Sequence, residues 1–418
     1  MKVSVLGPLR IVAEVTGQHS LLLTCALLVV CAAVAVLSAS SQWSPSIRTV
    51  LVVAVVARLL VVVLARHHTP ADVAVIFRRT GELVRLGKDP ATTLPRYQWN
   101  FLPLMPYVHA LEQMTGLPWW FAGKICPVAA DVGVAVLLFR LTHRTSTAWQ
   151  YALNPVPILV SAWHGQVEPT SLVLVLLAVL LLRREELLLA GLVFGAAIAT
   201  KTWPLIFLPG LILLMSWPQR CRFAVALVVP LILLFTSQVI WLHAPARAAA
   251  KVVIGYRSAF GNFGWSGVLH QLGLAGIGYA GPNIDKLAFI GSAVLGLCVL
   301  TLLTLCWRRV DGLVMTGLIL LVFYVVTGGF GIQYMLWCIP VLLMLRWREA
   351  TLFLVSAEVF VVGTYVFFYT GAIDRNDYIL LSCVVVASAA LCLVRLFPAV
   401  RRGLRAPVRW GVPVESAH

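Results

Sequence analysis

The stretch "RTVLVVAVVARLLVVVLARHHTPADVAVIFRRTGELVRLGKDP", residues 48–90, changes character at Arg66. Up to Ala65 it is a nearly unbroken run of valine, leucine and alanine. From Arg66 to Pro90 it holds eight Arg, Lys, Asp and Glu residues, in a chain of which only 11% is of those types. A helix that spans a bilayer needs about 20 apolar residues, and 48–65 is such a segment. The charged half is something else. Val73, Ile76, Phe77, Leu83 and Val84 share one helical face, and Arg78, Arg79, Glu82 and Arg85 the other. Gly87 stops that helix and "KDP" turns the chain. A helix of this kind lies along a membrane surface with its arginines toward lipid phosphates.

The same contrast runs through the whole chain. Hydrophobic residues make up 61% of 418, and the mean hydropathy is +0.94. A soluble domain is about 45–50% apolar, so one water-soluble core cannot hide this surface. The composition therefore predicts an all-α polytopic membrane protein, a single integral membrane domain over 1–418. Candidate spans are 20–40, 48–65, 118–140, 147–163, 171–183, 187–201, 204–215, 223–243, 284–306, 312–328, 331–346, 349–370 and 377–396. Some are short, and pairs such as 187–201 and 204–215 read either as one kinked helix or as two tilted ones. The expected number is 11–13 spans. Residues 1–47 carry an extra hydrophobic helix, and 397–418 form a tail. The net charge of +16 comes as short arginine clusters between apolar runs. With no basic face interleaved with aromatics, no nucleic-acid partner is expected. Nine cysteines without a CxxC pair read as small buried hydrophobes.

Arginine pairs recur at alternate turns: Arg140 with Arg144, Arg183 with Arg184, Arg220 with Arg222, Arg308 with Arg309, Arg346 with Arg348. By the positive-inside rule these turns and the tail face the cytoplasm. The turns between them then face outward: 66–117, 164–170, 201–204, 244–283, 328–334 and 371–378. Nearly all the chain's acids, amides and histidines with chemical potential lie there. Two outer segments are long, 66–117 with interfacial helices and 244–283.

Asp72 has a simple local reading. Thr69-Pro70-Ala71-Asp72 reads as a helix start, with Thr69 as N-cap and an acid in the first turn. A carboxylate at a helix N-terminus is also held ionised, which suits a base, so the two roles are compatible. "WHGQVEP" gathers His164, Gln166 and Glu168 beside Trp163 at a helix end, which marks a site hypothesis in a membrane protein. His67 and His68 lack a third ligand at fixed spacing, so no metal site is expected.

Four further segments carry a resemblance. Residues 58–90, the segment "NPVPILVSAWHGQVEPT", the helix "GLVFGAAIATKTWP" and "QYMLWCIP" together resemble the GT-C superfamily of membrane glycosyltransferases. The similarity runs in the expected order through about residues 48–345. It looks closest to bacterial polyprenyl-phosphomannose-dependent mannosyltransferases. The stretch "YQWNFLPL" is a degenerate version of the family's pattern, and only Asp72 stands where many relatives have two adjacent acids. The resemblance implies the GT-C fold and an inner-membrane, multi-pass enzyme with its active site facing the periplasm. It implies transfer of a sugar, mannose by preference, from a polyprenyl phosphate to a glycolipid or cell-envelope glycan acceptor. Asp72 would be the general base, inverting the donor's anomeric carbon. Cations would hold the donor phosphate, and the candidates are Arg257, Lys201, Lys251 and Arg375. Trp163, His164, Gln166, Glu168, Gln333, Tyr334 and Tyr97 are the candidates for sugar or acceptor contact. No nucleotide-binding fingerprint and no soluble domain is present, which favours a lipid-carried donor and requires no cofactor. The alternatives are a lipid-linked-sugar flippase or transporter and an inactive assembly subunit.

Overall fold

A computed structural model describes residues 6–41, 43–94, 102–254, 263–273, 284–307, 309–368 and 375–404; side chains are described for these except 6–19, 251–254, 284–288, 368 and 375–376. The described residues form helices joined by turns, with no strand among them. Seven helices are long and apolar enough to cross a membrane: Ser20–Ser40, Ile47–His67, Trp119–Thr142, Trp217–Trp241, Phe289–Cys306, Arg348–Phe367 and Asp377–Arg401. The protein is a polytopic all-α membrane protein. Long helices alone do not reach the expected 11–13. The remaining apolar sequence is cut into shorter pieces, among them Leu187–Thr200, Trp203–Ile212, Gly312–Val326 and Ile332–Leu345. Proline and polar motifs do the cutting. At "KTWP" the α-helix ends at Thr200 and a tight turn runs over Trp203–Phe207 before Leu208–Ile212, because Pro204 cannot continue the hydrogen-bond ladder.

Close helix contacts are made where side chains are missing. On Leu187–Thr200, Gly191 and Gly195 form a GxxxG face against Trp217–Trp241. A Cβ at Gly191 would stand 2.5 Å from the Phe223 carbonyl oxygen, and one at Gly195 would collide with that of Leu227. In a bilayer, where apolar burial between helices supplies little drive, this backbone approach is a main source of helix association.

Some of the turns touch one another. Arg183 donates to the Leu141 carbonyl at 2.5 Å, and Arg220 lies 5.4 Å over the Trp307 ring, so arginine-bearing turns touch one another. The turns holding Asp72, His164, Glu168, Lys201 and Tyr334 also touch one another, as described below.

The charged stretch after Arg66 forms a continuous helical segment, Asp72–Arg85, ending at Gly87 with φ +68°. Val73, Phe77 and Leu83 are buried, while Arg78 and Arg79 are exposed and pair with Glu82. Its inner face rests on Leu104–Met114, where Phe77 stacks on His109 at 5.0 Å. The expected cap is a correction. The Thr69 hydroxyl is buried without a hydrogen-bond partner among the described residues. Val73 and Ala74 N–H groups both donate to the Pro70 carbonyl, at 3.1 and 2.8 Å, so the first turn closes without Thr69.

One ionic cluster lies inside the apolar bundle. Arg58 and Asp131, both fully buried, pair at 2.6 Å between the spans Ile47–His67 and Trp119–Thr142. Tyr151 and Ser161 also donate to the Asp131 carboxylate, and Arg58 donates to the carbonyls of Ala54 and Ala152. These partners are what make a buried pair tolerable, although Arg58 Nη2 has no hydrogen-bond partner among the described residues.

Candidate active site

Three helical segments of the described chain widen into π-turns: Asp72–Phe77, Leu159–His164 and Gly363–Phe368. Such turns are rare and often sit at functional sites. Each of the three supplies one member of a hydrogen-bonded chain. Asp72 opens the first turn, His164 closes the second and Tyr365 lies within the third.

His164 Nε2 stands 2.9 Å from Oδ2 of Asp72 and 3.0 Å from Oδ1. On its far side, His164 Nδ1 meets the Tyr365 hydroxyl at 2.6 Å. Nε2–H of His164 donates to the Asp72 carboxylate, and Nδ1 shares a hydrogen bond with the Tyr365 hydroxyl. Gln166 Nε2 donates to Asp72 Oδ2 at 2.5 Å, and the Val73 N–H donates to Oδ1 at 2.9 Å. The sequence between His164 and Gln166 allows this double reach. Gly165 takes φ +86°, a left-handed conformation that favours glycine, and a Cβ there would stand 3.0 Å from Lys124 Cγ.

The Asp72 side chain is 35% exposed, while that of His164 is 7% exposed. The carboxylate is therefore gripped from behind and open in front. Burial works to raise its pKa. The charge of His164 and the hydrogen bonds from His164 and the Val73 N–H outweigh burial, so the carboxyl lies below its ordinary value.

A second cluster continues along the chain. Glu168, fully buried, takes Lys201 Nζ on Oε1 at 2.5 Å, and Lys201 lies 5.1 Å from the centre of the Tyr334 ring. Tyr334 stacks on Trp337 at 4.1 Å and Trp337 on Trp203 at 4.6 Å. Several polar atoms here are buried without a hydrogen-bond partner among the described residues: Glu168 Oε2, Gln166 Oε1 and the indole nitrogens of Trp163, Trp203 and Trp337. Trp163 is fully buried and stacks on His68 at 5.6 Å.

The structure thus brings Asp72, His164 and Gln166 into one contact set and Glu168, Lys201 and Tyr334 into another. Gln333 is half-buried, and its side chain folds against Gly331. Tyr97 and Arg257 lie outside the described residues. Lys251 falls in the helix Ala246–Ile254 and Arg375 begins the helix Arg375–Arg401, both in parts without described side chains. Sequence reasoning missed Tyr365, Lys124 and the Arg58–Asp131 pair. Charges inside apolar spans are seldom idle, and that rule singles out the last three. Among the described residues no group of three His, Cys, Asp or Glu could hold a metal ion.

Residues 99–330, more than half of the chain, match the sequence profile of glycosyltransferase family 87. The chain belongs to that family. The matched region holds Lys124, His164, Gln166, Glu168 and Lys201, whereas Asp72, Tyr334 and Tyr365 lie beyond it. Two curated relatives are GPI mannosyltransferase 1 of Kluyveromyces lactis and of Saccharomyces cerevisiae. The first is 29% identical over 154 residues, 35% of this chain and 37% of the yeast protein. The second is 23% identical over 139 residues, 32% of this chain and 33% of its own. The chain spans about a third of the length of these relatives.

Proposed function

We propose that this family 87 member moves mannose from a polyprenyl phosphate to a hydroxyl of a lipid-linked or cell-envelope glycan, on the periplasmic side of the inner membrane. The observation that carries the reading is the Asp72 carboxylate, held from behind by His164 and Gln166 and open on its other side. A group so fixed, and below its ordinary pKa, is ionised and ready to accept a proton at neutral pH. The acceptor's O–H gives its proton to Asp72. The acceptor oxygen forms the new bond to the anomeric carbon, and the bond from that carbon to the phosphate oxygen breaks. The phosphate keeps the electron pair and stays on its lipid. Attack from the face opposite the phosphate inverts the anomeric carbon.

The second cluster supports a sugar as the group transferred. A carbohydrate offers hydroxyls that donate and accept, and C–H faces that pack on aromatic rings. Glu168 Oε2, Gln166 Oε1 and the indole N–H groups beside the Tyr334–Trp337–Trp203 stack have those complements unused among the described residues. Mannose is chosen because both curated relatives are named as mannosyltransferases. The periplasmic side follows from the arginine turns, taken as cytoplasmic.

The test is a reaction with purified protein, radiolabelled polyprenyl-phosphomannose and candidate glycolipid acceptors. The expected result is label on the acceptor, with polyprenyl phosphate released in equal amount. Label that crosses a vesicle bilayer still on its polyprenyl carrier would instead indicate a transporter.

A further inference from the structure

His109 and Glu112 stand at i and i+3 on the helix Leu104–Met114, so they share one of its faces. Both are buried, and the hydrogen-bonded chain of Asp72, His164 and Tyr365 uses neither. The His109 Nδ1–H donates to Glu112 Oε2 at 2.8 Å, and Glu112 Oε1 accepts from the Cys126 N–H at 3.3 Å. A buried ionisable pair is often less favourable than apolar side chains of the same volume. What this pair supplies is a ring of fixed orientation. The His109 ring stacks on Phe77 with centres 5.0 Å apart and meets Trp119 edge to face at 5.9 Å.

Trp119 closes the circuit of contacts. Its indole N–H donates to the Val73 carbonyl at 2.8 Å. Val73 and Phe77 both belong to the π-turn Asp72–Phe77. The turn that carries Asp72 is therefore held at two points, by a hydrogen bond at Val73 and a ring stack at Phe77. Both holds come from one group of side chains, which Glu112 ties to the helix Ile125–Thr142. Apolar packing here is limited: Val73, Phe77, Met105 and Val167 form a small cluster with Trp119 against it, apart from the main core of the bundle. A π-turn is a rare backbone state, so this one needs support beyond that cluster. Val73 is also the residue whose N–H donates to Asp72 Oδ1 at 2.9 Å. Whatever fixes residue 73 thus fixes one of the hydrogen bonds that orient the carboxylate.

We infer that Trp119, braced by His109 and Glu112, is a positioning residue for Asp72: its indole N–H locks residue 73 and so aims the carboxylate at the acceptor hydroxyl. The inference rests on the reading of Asp72 as the base. Trp119 needs no contact with substrate for this role, so its effect falls on turnover and not on binding.

The experiment measures kcat, KM and the acid limb of kcat/KM, per folded molecule, with radiolabelled polyprenyl-phosphomannose as donor. It uses the full-length protein in detergent as wild type, Trp119→Phe, Asp72→Asn and the double variant. Trp119→Phe keeps an aromatic ring beside His109 and removes the N–H. Its kcat should fall roughly twofold to tenfold, the scale of one hydrogen bond, with KM unchanged. A carboxylate held less firmly by the Val73 N–H has a higher pKa, so the acid limb should move upward. In the Asp72→Asn background Trp119→Phe should have no further effect, because the group it positions no longer takes the proton. His109→Asn keeps a donor for Glu112 and removes the ring between Phe77 and Trp119. It should move kcat and the acid limb in the same direction. Unchanged kcat and acid limb in both variants would overturn the inference while leaving Asp72 as the base. So would an effect that simply multiplies with that of Asp72→Asn, which makes the brace structural. A rise in KM alone would also overturn it, by placing Trp119 against the substrate. Turnover of Asp72→Asn within about threefold of wild type would remove the base itself, and the inference with it.

Discussion

His164 Nε2 lies 2.9 Å from the Asp72 carboxylate, across 92 residues of sequence and between two different helical segments. The contact joins the Asp72–Arg85 helical segment to the end of the segment Leu159–His164. It holds the carboxylate in one orientation; burial raises the Asp72 pKa, and the charge and hydrogen bond of His164, together with backbone hydrogen bonds, outweigh it.

The sign of the pH dependence follows. Asp72 has a depressed pKa, so a base that must be ionised works at all pH values above it and fails only as pH falls through it. The acid limb of kcat/KM for wild type should lie below about pH 4, the ordinary aspartate value. His164→Ala removes the charge and the hydrogen bond but leaves the burial, which raises the pKa. Its acid limb should move upward. An unchanged limb, measured under matched buffers, would disconnect His164 from the ionisation of Asp72.

Tyr365 is a positioning residue that acts through His164. Tyr365→Phe keeps the ring, packed edge-on to His164 at 5.2 Å, and loses only the hydroxyl. One hydrogen bond is worth about 0.5–1.5 kcal/mol, so kcat should fall by roughly twofold to tenfold with little change in KM. The acid limb should shift in the same direction as in His164→Ala. A change in KM alone would place Tyr365 in substrate binding.

The Arg58–Asp131 pair is predicted to be structural. Asp131→Ala leaves the Arg58 charge buried and should destabilise the protein by about 3–5 kcal/mol, seen as a lower melting temperature in detergent. Replacing both, Arg58→Met with Asp131→Leu, should recover much of that loss. Failure of the double variant to recover would mean that Tyr151 and Ser161 need the carboxylate for their own sake.

Sidedness can be read by chemical labelling of single engineered cysteines in a cysteine-free background. Lys88 and Glu185 are both exposed, one beside the Asp72 helix and one in an arginine-bearing turn. An impermeant reagent added outside should label Lys88→Cys and not Glu185→Cys. The reverse pattern would put Asp72 in the cytoplasm.

Much of the site was legible because its residues interrupt apolar runs. His164, Gln166 and Glu168 stand out of a stretch otherwise made of valine, leucine and alanine, and Lys201 marks the end of another. The meeting of His164 and Gln166 with Asp72 needed only that their two turns lie side by side. Tyr365 was not legible. It sits in "VVGTYVFFYT", where a tyrosine reads as one more core aromatic, and it reaches His164 from a π-turn that no residue pattern announces. Lys124 follows "WWFAG" and resembles an interface lysine; its burial depends on the Gly165 turn, 41 residues on. Among the described residues seven helices have full spanning length and other apolar helices are shorter, because Pro155, Pro157, Pro204 and Pro340 interrupt segments that hydropathy alone makes continuous.

The central claim is that Asp72 accepts the acceptor's proton, and the direct measurement is turnover of Asp72→Asn at saturating donor, beside its affinity for polyprenyl phosphate. The asparagine keeps the shape and most of the hydrogen bonds but cannot take the proton. Turnover should fall by roughly 10²-fold or more, the usual scale for a lost general base, with donor affinity held. A fall of less than about threefold would contradict the account and leave Asp72 as a side chain that serves only its helix.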